Sequence, residues 1–264
     1  MTPGSTAMGA QMDTSTLAPL TPNAWLRYEL IKDMFPPGIS DVLEIGCGQG
    51  ALGTRLAQRF NYLGVEPDQV SWAIASKRIR AAGGQGEVRN IPVQDLGDDR
   101  FDLVCAFEVL EHIEDDAAAV KEWSSRLRAP GWLLLSVPAH QDRYGPADEL
   151  AGHFRRYDPA AMTALLAGRG FTGIQVRQYG FPLGYLLEAG RNLIARRRLA
   201  ATAAMSMAER TAGSGRLLQP SDDRRAAAAA RWGTAPFRVV QRPFPNTGTG
   251  LLALARLDGR QSQP

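Results

Sequence analysis

Asp41-Val42-Leu43-Glu44-Ile45-Gly46-Cys47-Gly48-Gln49-Gly50 is the stretch that decides the fold. Val42 to Ile45 form a short apolar strand that runs straight into a glycine-rich turn, and Ala51 to Phe60 then read as a helix. Glycines at 46, 48 and 50 let the backbone turn sharply and approach a ligand closely, because each lacks a Cβ and tolerates φ > 0. Glu44 stands inside the strand, two residues before the turn, where an apolar residue would be the default.

A second carboxylate follows. Asn61-Tyr62-Leu63-Gly64-Val65-Glu66 reads as strand two, and Glu66 closes it. In nucleotide-binding α/β folds a carboxylate here accepts hydrogen bonds from ribose hydroxyls. A dinucleotide site would carry G-x-G-x-x-G, whereas the spacing here is G-x-G-x-G, with Ala51 three positions after Gly48. Glu44, Gly46, Gly48, Gly50 and Glu66 together resemble the signature of class I S-adenosylmethionine-dependent methyltransferases. The resemblance runs from about Val42 to Val137, and FDLVCAFEVLEHIED followed by LRAPGWLLLSVP strengthens it.

The resemblance implies an α/β fold: a Rossmann-like, seven-stranded, mostly parallel sheet with helices on both faces. It also implies S-adenosylmethionine as cofactor and S-adenosylhomocysteine as product. Glu44, Gly46, Cys47, Gly48 and Gly50 would sit by the cationic amino-acid end of the cofactor. Glu66, with Pro67 beside it, would hold the ribose. Val93 (through its backbone) and Asp95 would meet the adenine edge, although Pro92 replaces the acidic residue common at the start of that segment. Phe107 and Glu108 would pass close to the sulfur and the incoming acceptor.

Composition sets the frame for these expectations. The 264 residues suit one large α/β domain with embellishments, and 44% hydrophobic content is ordinary for a globular protein. No apolar run approaches the ~18–20 residues of a membrane span. Met1 to Leu20, rich in Thr, Ser, Gly, Ala and Pro, lacks a basic n-region and an apolar h-region, and so reads as a disordered tail. Cys47 and Cys105 are the only cysteines, one in the glycine turn and one inside a strand, which gives neither a disulfide framework nor a thiolate metal site. A reducing, cytoplasmic location is the default. The net charge is only +3, but lysine occurs at 32, 77 and 121 alone, so the basic side is almost all arginine.

The expected organisation is a tail (1–20), a cofactor-binding core (21–179), a basic helical insertion acting as acceptor lid (180–245), the last core strand (246–257) and a short tail (258–264). Pro22 to Phe35 reads as a helix capped by Asn23. In the family this helix often covers cofactor or substrate, which makes Trp25 and Tyr28 lid candidates, although packing on the sheet is the simpler account of both. Asp68 caps a helix to Ala82, Gln85 to Ile91 is strand three, and Phe101 to Phe107 is a central strand buried on both faces. Asp115 or Asp116 starts a helix through Leu127, Arg128 to Gly131 turns, and Trp132 to Val137 is strand five. Pro138 to Asp158 reads as a polar loop, Pro159 to Gly168 as a helix, and Gly173 to Tyr179 and Gly250 to Arg256 as the last two strands. About seventy residues separate those strands, and from 185 to 242 there are eleven arginines against four acidic residues.

Transfer of a methyl group from a sulfonium needs donor and nucleophile held in line. A hydroxyl or protonated amine acceptor also benefits from a base, for which histidine is the natural choice. The three histidines, 112, 140 and 153, all follow strand ends on the ligand side. His153 lies in Gly152-His153-Phe154-Arg155-Arg156-Tyr157-Asp158, which resembles a G-H-x-R-R-Y segment of a subgroup acting on small molecules or glycan-like acceptors. His112, His153 and Tyr157 are the candidate catalytic residues. His140, Arg155 and Arg156 are candidate acceptor contacts, the arginines pairing an acidic group. A surface loop tied down by arginine–carboxylate pairs is the alternative.

No resident metal is expected. Glu108, Glu111 and His112 would nevertheless share one face of a helical turn, where His140 or His153 could complete a site for Mg²⁺ or a similar ion. E-x-x-E-H strings of this kind resemble metal-binding segments in ubiquinone-pathway O-methyltransferases and small-RNA 2′-O-methyltransferases, and they also occur in relatives without metal. The favoured acceptor is a small organic molecule: a natural product, a lipid precursor or a sugar-containing metabolite. Nucleic acid is disfavoured because the basic segment lacks interleaved stacking aromatics. A cofactor-binding protein that steers a non-methylating cyclisation is a further alternative. Phe181 to Arg198 could lie on an anionic membrane surface, but a buried lid helix with a charged end is preferred. The insertion could also form a homodimer contact.

Overall fold

A computed structural model of the chain describes residues 17–199 and 223–259. The rest of the expected N-terminal tail, the middle of the insertion and the last five residues lie outside the described residues. In chain order the strands are β1 (Asp41–Ile45), β2 (Asn61–Val65), β3 (Gly86–Arg89), β4 (Phe101–Phe107), β5 (Leu127–Pro138), β6 (Phe171–Gly180) and β7 (Gly248–Leu257). They form one sheet in the order β3-β2-β1-β4-β5-β7-β6. The first five are parallel, and β7 runs antiparallel between β5 and β6. This is the expected seven-stranded, mostly parallel α/β sheet.

The helices are α1 (Pro22–Met34), α2 (Gly53–Leu56), α3 (Gln69–Ala81), α4 (Asp116–Ser125), α5 (Pro146–Ala151), α6 (Pro159–Ala167), α7 (Leu183–Leu199), α8 (Arg224–Gly233) and α9 (Ala235–Val240). No helix among the described residues is long and apolar enough to cross a membrane. Alternation along the central strands feeds two cores. Leu43, Ile45, Val104 and Ala106 pack with Trp123 of α4 and Met162 of α6. Val42, Leu103, Cys105 and Phe107 pack with Leu26 and Ile31 of α1 and Ile79 of α3. Glu44 faces the second core, so β1 carries a buried carboxylate to the sheet edge where open α/β sheets bind ligands.

Several expectations are corrected locally. The cap of α1 is Thr21, whose hydroxyl accepts from the Ala24 amide at 3.2 Å, not Asn23. The helix after the glycine turn lasts only four residues, and just beyond it the Ala57 carbonyl accepts from the Gln85 amide at 2.9 Å. The presumed turn at Arg128–Gly131 lies within β5, and the polar loop contains α5. At the end of the expected tail, Ala18 and Leu20 are buried, and the Ala18 carbonyl accepts from Arg55 at 2.7 Å. Within the insertion, the five alanines 226–230 lie in α8. The expected lid helix is not apolar-face-inward: α7 buries Gly184, Glu188 and Ala195 and leaves Leu186, Leu193 and Ile194 in solvent.

Candidate active site

A cavity of about 310 Å³ opens beyond the carboxyl ends of β1 and β4, walled by the start of α1, by α5 and by the segment after it. That volume is at the small end of the range for ligand pockets. The glycine turn forms its floor. Gly46, Gly48 and Gly50 have φ of +64°, +54° and +75°, in the left-handed region that side chains avoid. A Cβ on Gly46 would come within 2.8 Å of Val109, and one on Gly50 within 3.1 Å of Ala75, so both are needed for packing. A Cβ on Gly48 would meet nothing within 4 Å. Gly48 therefore keeps space open on the cavity wall.

The two carboxylates bracket this turn as expected. Glu66 accepts from the amides of Gly48 at 2.8 Å and Asp68 at 2.9 Å, so it holds the turn in shape. A carboxylate offers about four lone-pair sites, so these two bonds do not exhaust the acceptor capacity of Glu66. Burial raises its carboxyl above the ordinary value, against those two backbone hydrogen bonds. Glu44 lines the cavity and accepts from the Tyr62 hydroxyl at 2.7 Å. Burial pushes its carboxyl up to about 7, against the Tyr62 hydrogen bond and the Arg27 charge.

Glu108 follows β4 with φ of +59°, a conformation that costs a glutamate about 1–3 kcal/mol and that its surroundings enforce. Its Oε1 lies 2.9 Å from Arg27 Nη1, accepts from Ser136 Oγ at 2.9 Å and from the Tyr179 hydroxyl at 3.1 Å. Burial acts to raise the Glu108 carboxyl, but Arg27 and these hydrogen bonds outweigh it and hold it below the usual range. Phe107 and Cys47 also line the cavity. Gly50, Glu66, Pro67, Val93 and Asp95 do not: Glu66 lies behind the turn it holds, Val93 is buried in the sheet core, and Pro67 and Asp95 are exposed beyond β2 and β3.

On the opposite wall stand Glu111, His112 and His153. His153 Nδ1 lies 2.9 Å from Asp148 Oδ1, its ring meets His112 edge to face at 4.6 Å, and its Nε2 is 4.0 Å from Glu111 Oε1. Burial acts to raise the Asp148 carboxyl, but hydrogen bonds with His153 and Arg156 bring it down to about 2, so it is a fixed anion. Glu111 is fully buried, and neither of its oxygens has a hydrogen-bond partner. Burial first, then the charge of Glu108, pushes its carboxyl well above the usual range. Burial and then His153 take His112 down to about 4, which leaves it neutral near pH 7. Ligand atoms of Glu111, His112 and His153 lie within 4.8 Å of one another. Glu108, engaged by Arg27, is outside that group, and His140 is as well.

The remaining candidates fall elsewhere. The Tyr157 hydroxyl donates to Asp116 Oδ2 at 2.9 Å under a buried ring off the cavity, and burial raises it far above the ordinary phenol value, so it is no base for an acceptor. Arg155 pairs with Asp116 at 2.7 Å, and His140 Nε2 lies 2.9 Å from Gln178 Oε1. Neither lines the cavity. Trp25 and Tyr28 pack against each other and against the Arg55 guanidinium, at 5.2 and 5.5 Å from their rings, so they brace α1 instead of contacting an acceptor. Arg156 reaches the cavity wall, but its guanidinium is consumed by Asp148 at 2.7 Å and Glu188 at 2.5 Å. The arginine–carboxylate alternative for this loop thus describes Arg155 and Arg156, while His153 is left facing the cavity.

Sequence reasoning missed Arg27, Asp148, Glu188 and Asn23. Asn23 lines the cavity with a buried Oδ1 that has no partner. Asp148 carried one local signal, the Gly145-Pro146 helix start at which its carboxylate accepts from the Gly145 amide at 2.9 Å.

Residues 21–176 match the profile of a methyltransferase domain. A ubiquinone biosynthesis O-methyltransferase of Nitrosomonas europaea is 29% identical over 106 residues, covering 38% of this chain and 45% of that protein. A probable S-adenosylmethionine-dependent methyltransferase of Mycobacterium tuberculosis is 29% identical over 160 residues, covering 58% of this chain and 57% of that protein. The matched segments thus span about half the length of these curated relatives. Among solved structures, the [4+2]-cyclase SpnF superimposes with a TM-score of 0.57 at 18% identity, over 88% of this chain and 80% of its own, a likeness of fold. With a sheet of this order, a glycine turn between two carboxylates and a profile match over more than half of its length, the chain belongs to the methyltransferase-domain family.

Proposed function

We infer that the cavity binds S-adenosylmethionine and that the chain transfers its methyl group to a small organic acceptor, with His153 as the general base. The observation that carries this reading is a convergence. The open turn at Gly48 and a histidine held by a buried aspartate line the same small cavity. The residues fit the cofactor in two respects: Gly48 leaves room on the cavity wall, and that wall holds two polar groups suited to a cationic ligand, the Glu44 carboxyl and Asn23, whose buried Oδ1 has no partner. When bound, the cofactor supplies an electrophilic methyl sulfonium.

The chain's own residues then have definable tasks. Leu20, Thr21 and Asn23 line the cavity from the side of α1. Arg27 neutralises Glu108, so the wall below β4 presents an ion pair and not a lone anion to the nucleophile. Asp148 fixes the His153 ring through Nδ1, which leaves Nε2 to take a proton from an acceptor hydroxyl or ammonium. A natural product, a lipid precursor or a sugar-containing metabolite remains the acceptor class, and a cytoplasmic location the setting. The test is S-adenosylhomocysteine release from the purified chain with panels of hydroxyl- and amine-bearing acceptors. Release that depends on acceptor and falls in His153→Ala supports the reading. Cofactor binding without release for any acceptor favours a non-methylating step.

A second reading is favoured by the two unpartnered oxygens of Glu111. A buried carboxyl without partners is either neutral or facing a cation, and two imidazoles beside it suit Zn²⁺ or Mn²⁺ better than Mg²⁺. Glu111, His112 and His153 would hold that ion, which would polarise an acceptor hydroxyl. Loss of turnover on chelation with recovery on adding back metal supports it. Activity insensitive to chelator, with Glu111→Ala still active, removes it.

A further inference from the structure

Among the described residues, most of the large apolar side chains left in solvent lie between β6 and β7. Nine are exposed among the described residues, and seven of them lie between Leu183 and Phe244. Isolated exposed leucines need no explanation, but several on one face of one helix mark an interaction surface.

The polarity of α7 is inverted relative to an ordinary surface helix, which turns its apolar stripe to the core. Leu186, Leu193 and Ile194, at i, i+7 and i+8, share one face and are 71%, 56% and 54% exposed. Ala189 and Gly190, also exposed, complete that face, and the exposed Arg197 continues it. The opposite face is pinned by charge: Glu188 is buried and accepts from Arg143 at 2.6 Å and from Arg156 at 2.5 Å. The helix is thus held with its oily side outward, and its last turn carries Arg196 and Arg197 in solvent.

We propose that the outer face of α7 docks on an anionic membrane surface. Charge selects this occupant. Helix α7 itself holds Arg191, Arg196, Arg197 and Arg198 against the single acidic residue Glu188, which is already consumed by Arg143 and Arg156. A second copy would set like charges against each other. A nucleic acid would use the arginines but leave the aliphatic row without a role. An anionic bilayer accommodates both, apolar side chains at the acyl boundary and guanidinium groups among the headgroups. Arg191 of the same helix lines the cavity, so docking would bring the site up to the lipid surface. The proposal stands without the methyl-transfer reading.

The test is co-sedimentation of the full chain with vesicles of phosphatidylcholine alone and of phosphatidylcholine mixed with phosphatidylglycerol. The wild-type chain is expected to pellet with the anionic vesicles only, and less so as salt rises. Removing one exposed arginine lowers partitioning about five-fold, so Arg196→Ala with Arg197→Ala lowers it about 25-fold. Leu193→Ser with Ile194→Ser also releases the protein, and because both sites are in solvent the melting temperature stays unchanged. Failure to pellet, or pelleting that neither pair of substitutions weakens, overturns the proposal. So does a dimer in light scattering that the Leu193/Ile194 pair dissociates, or tighter retention by RNA than by anionic vesicles.

Discussion

Asp148 Oδ1 lies 2.9 Å from His153 Nδ1, and the same carboxylate is held by the Arg156 guanidinium at 2.7 Å through its other oxygen. One buried aspartate thus orients a ring in the cavity and ties the loop that carries it to α5. If His153 is the base, His153→Ala should lower kcat by about 10²–10⁴-fold with cofactor affinity unchanged, and added imidazole should restore part of the rate. Asp148→Asn should lower kcat less and should also lower the melting temperature, because Arg156 loses its main counter-charge. Steady-state kinetics on both variants checks this.

The glycines of the turn should separate by readout. Gly50→Ala combines a φ of +75° with a 3.1 Å approach to Ala75, and Gly46→Ala a φ of +64° with a 2.8 Å approach to Val109. Both should lose stability beyond the ~1–2 kcal/mol of an ordinary residue in that backbone region. Gly48→Ala meets no neighbour. It should therefore lose only about 1–2 kcal/mol while weakening cofactor binding the most per unit of stability lost. Urea denaturation and calorimetric titration on the same three variants make the comparison.

Glu44 should leave a mark on stability against pH. Its carboxyl ionises near its ordinary value in the unfolded chain and at about 7 when folded. Between those values the native state keeps a proton that the unfolded state has released, so stability is full below the lower value and is lost as pH rises through about 7. The gap corresponds to about 3 kcal/mol. Relative to Glu44→Gln, the wild-type chain should lose about that much between acid and mildly alkaline pH. Parallel stability curves for the two proteins would contradict the assignment.

Glu188 anchors α7 through Arg156, a cation itself buried beside Asp148. Breaking a buried pair by removing one partner is strongly destabilising. Glu188→Ala should cost about 3 kcal/mol, near the lower end for such pairs because Asp148 remains. Glu188→Gln should cost less, since it keeps an acceptor. Thermal unfolding of the two variants gives the order.

How far this was legible in the sequence depended on whether the signal was local. The β1–turn–β2 unit could be read because an apolar run, three glycines and a terminal carboxylate are adjacent in the chain; Glu44, Gly46 and Gly48 line the cavity, and Glu66 holds the turn from behind. Arg27 could not be read, because its partner Glu108 is reached only when α1 folds over β4. Helix α5 escaped because its one buried side chain is Asp148, which leaves no apolar period to detect. On α7 the apolar period was visible but its direction was not. Buried Glu188, held by two arginines from the preceding loop, sets which face turns inward. Tyr157 was misread for a related reason: a conspicuous phenol in a polar motif proved to be tied down by Asp116.

If the side-chain-poor turn between Glu44 and Glu66 binds the sulfonium nucleoside, calorimetric titration of the purified chain with S-adenosylmethionine will register it. Saturable one-site binding is expected, and Glu66→Ala should abolish it or weaken it severely. Absence of heat at any concentration, or an unchanged affinity in Glu66→Ala, would contradict it.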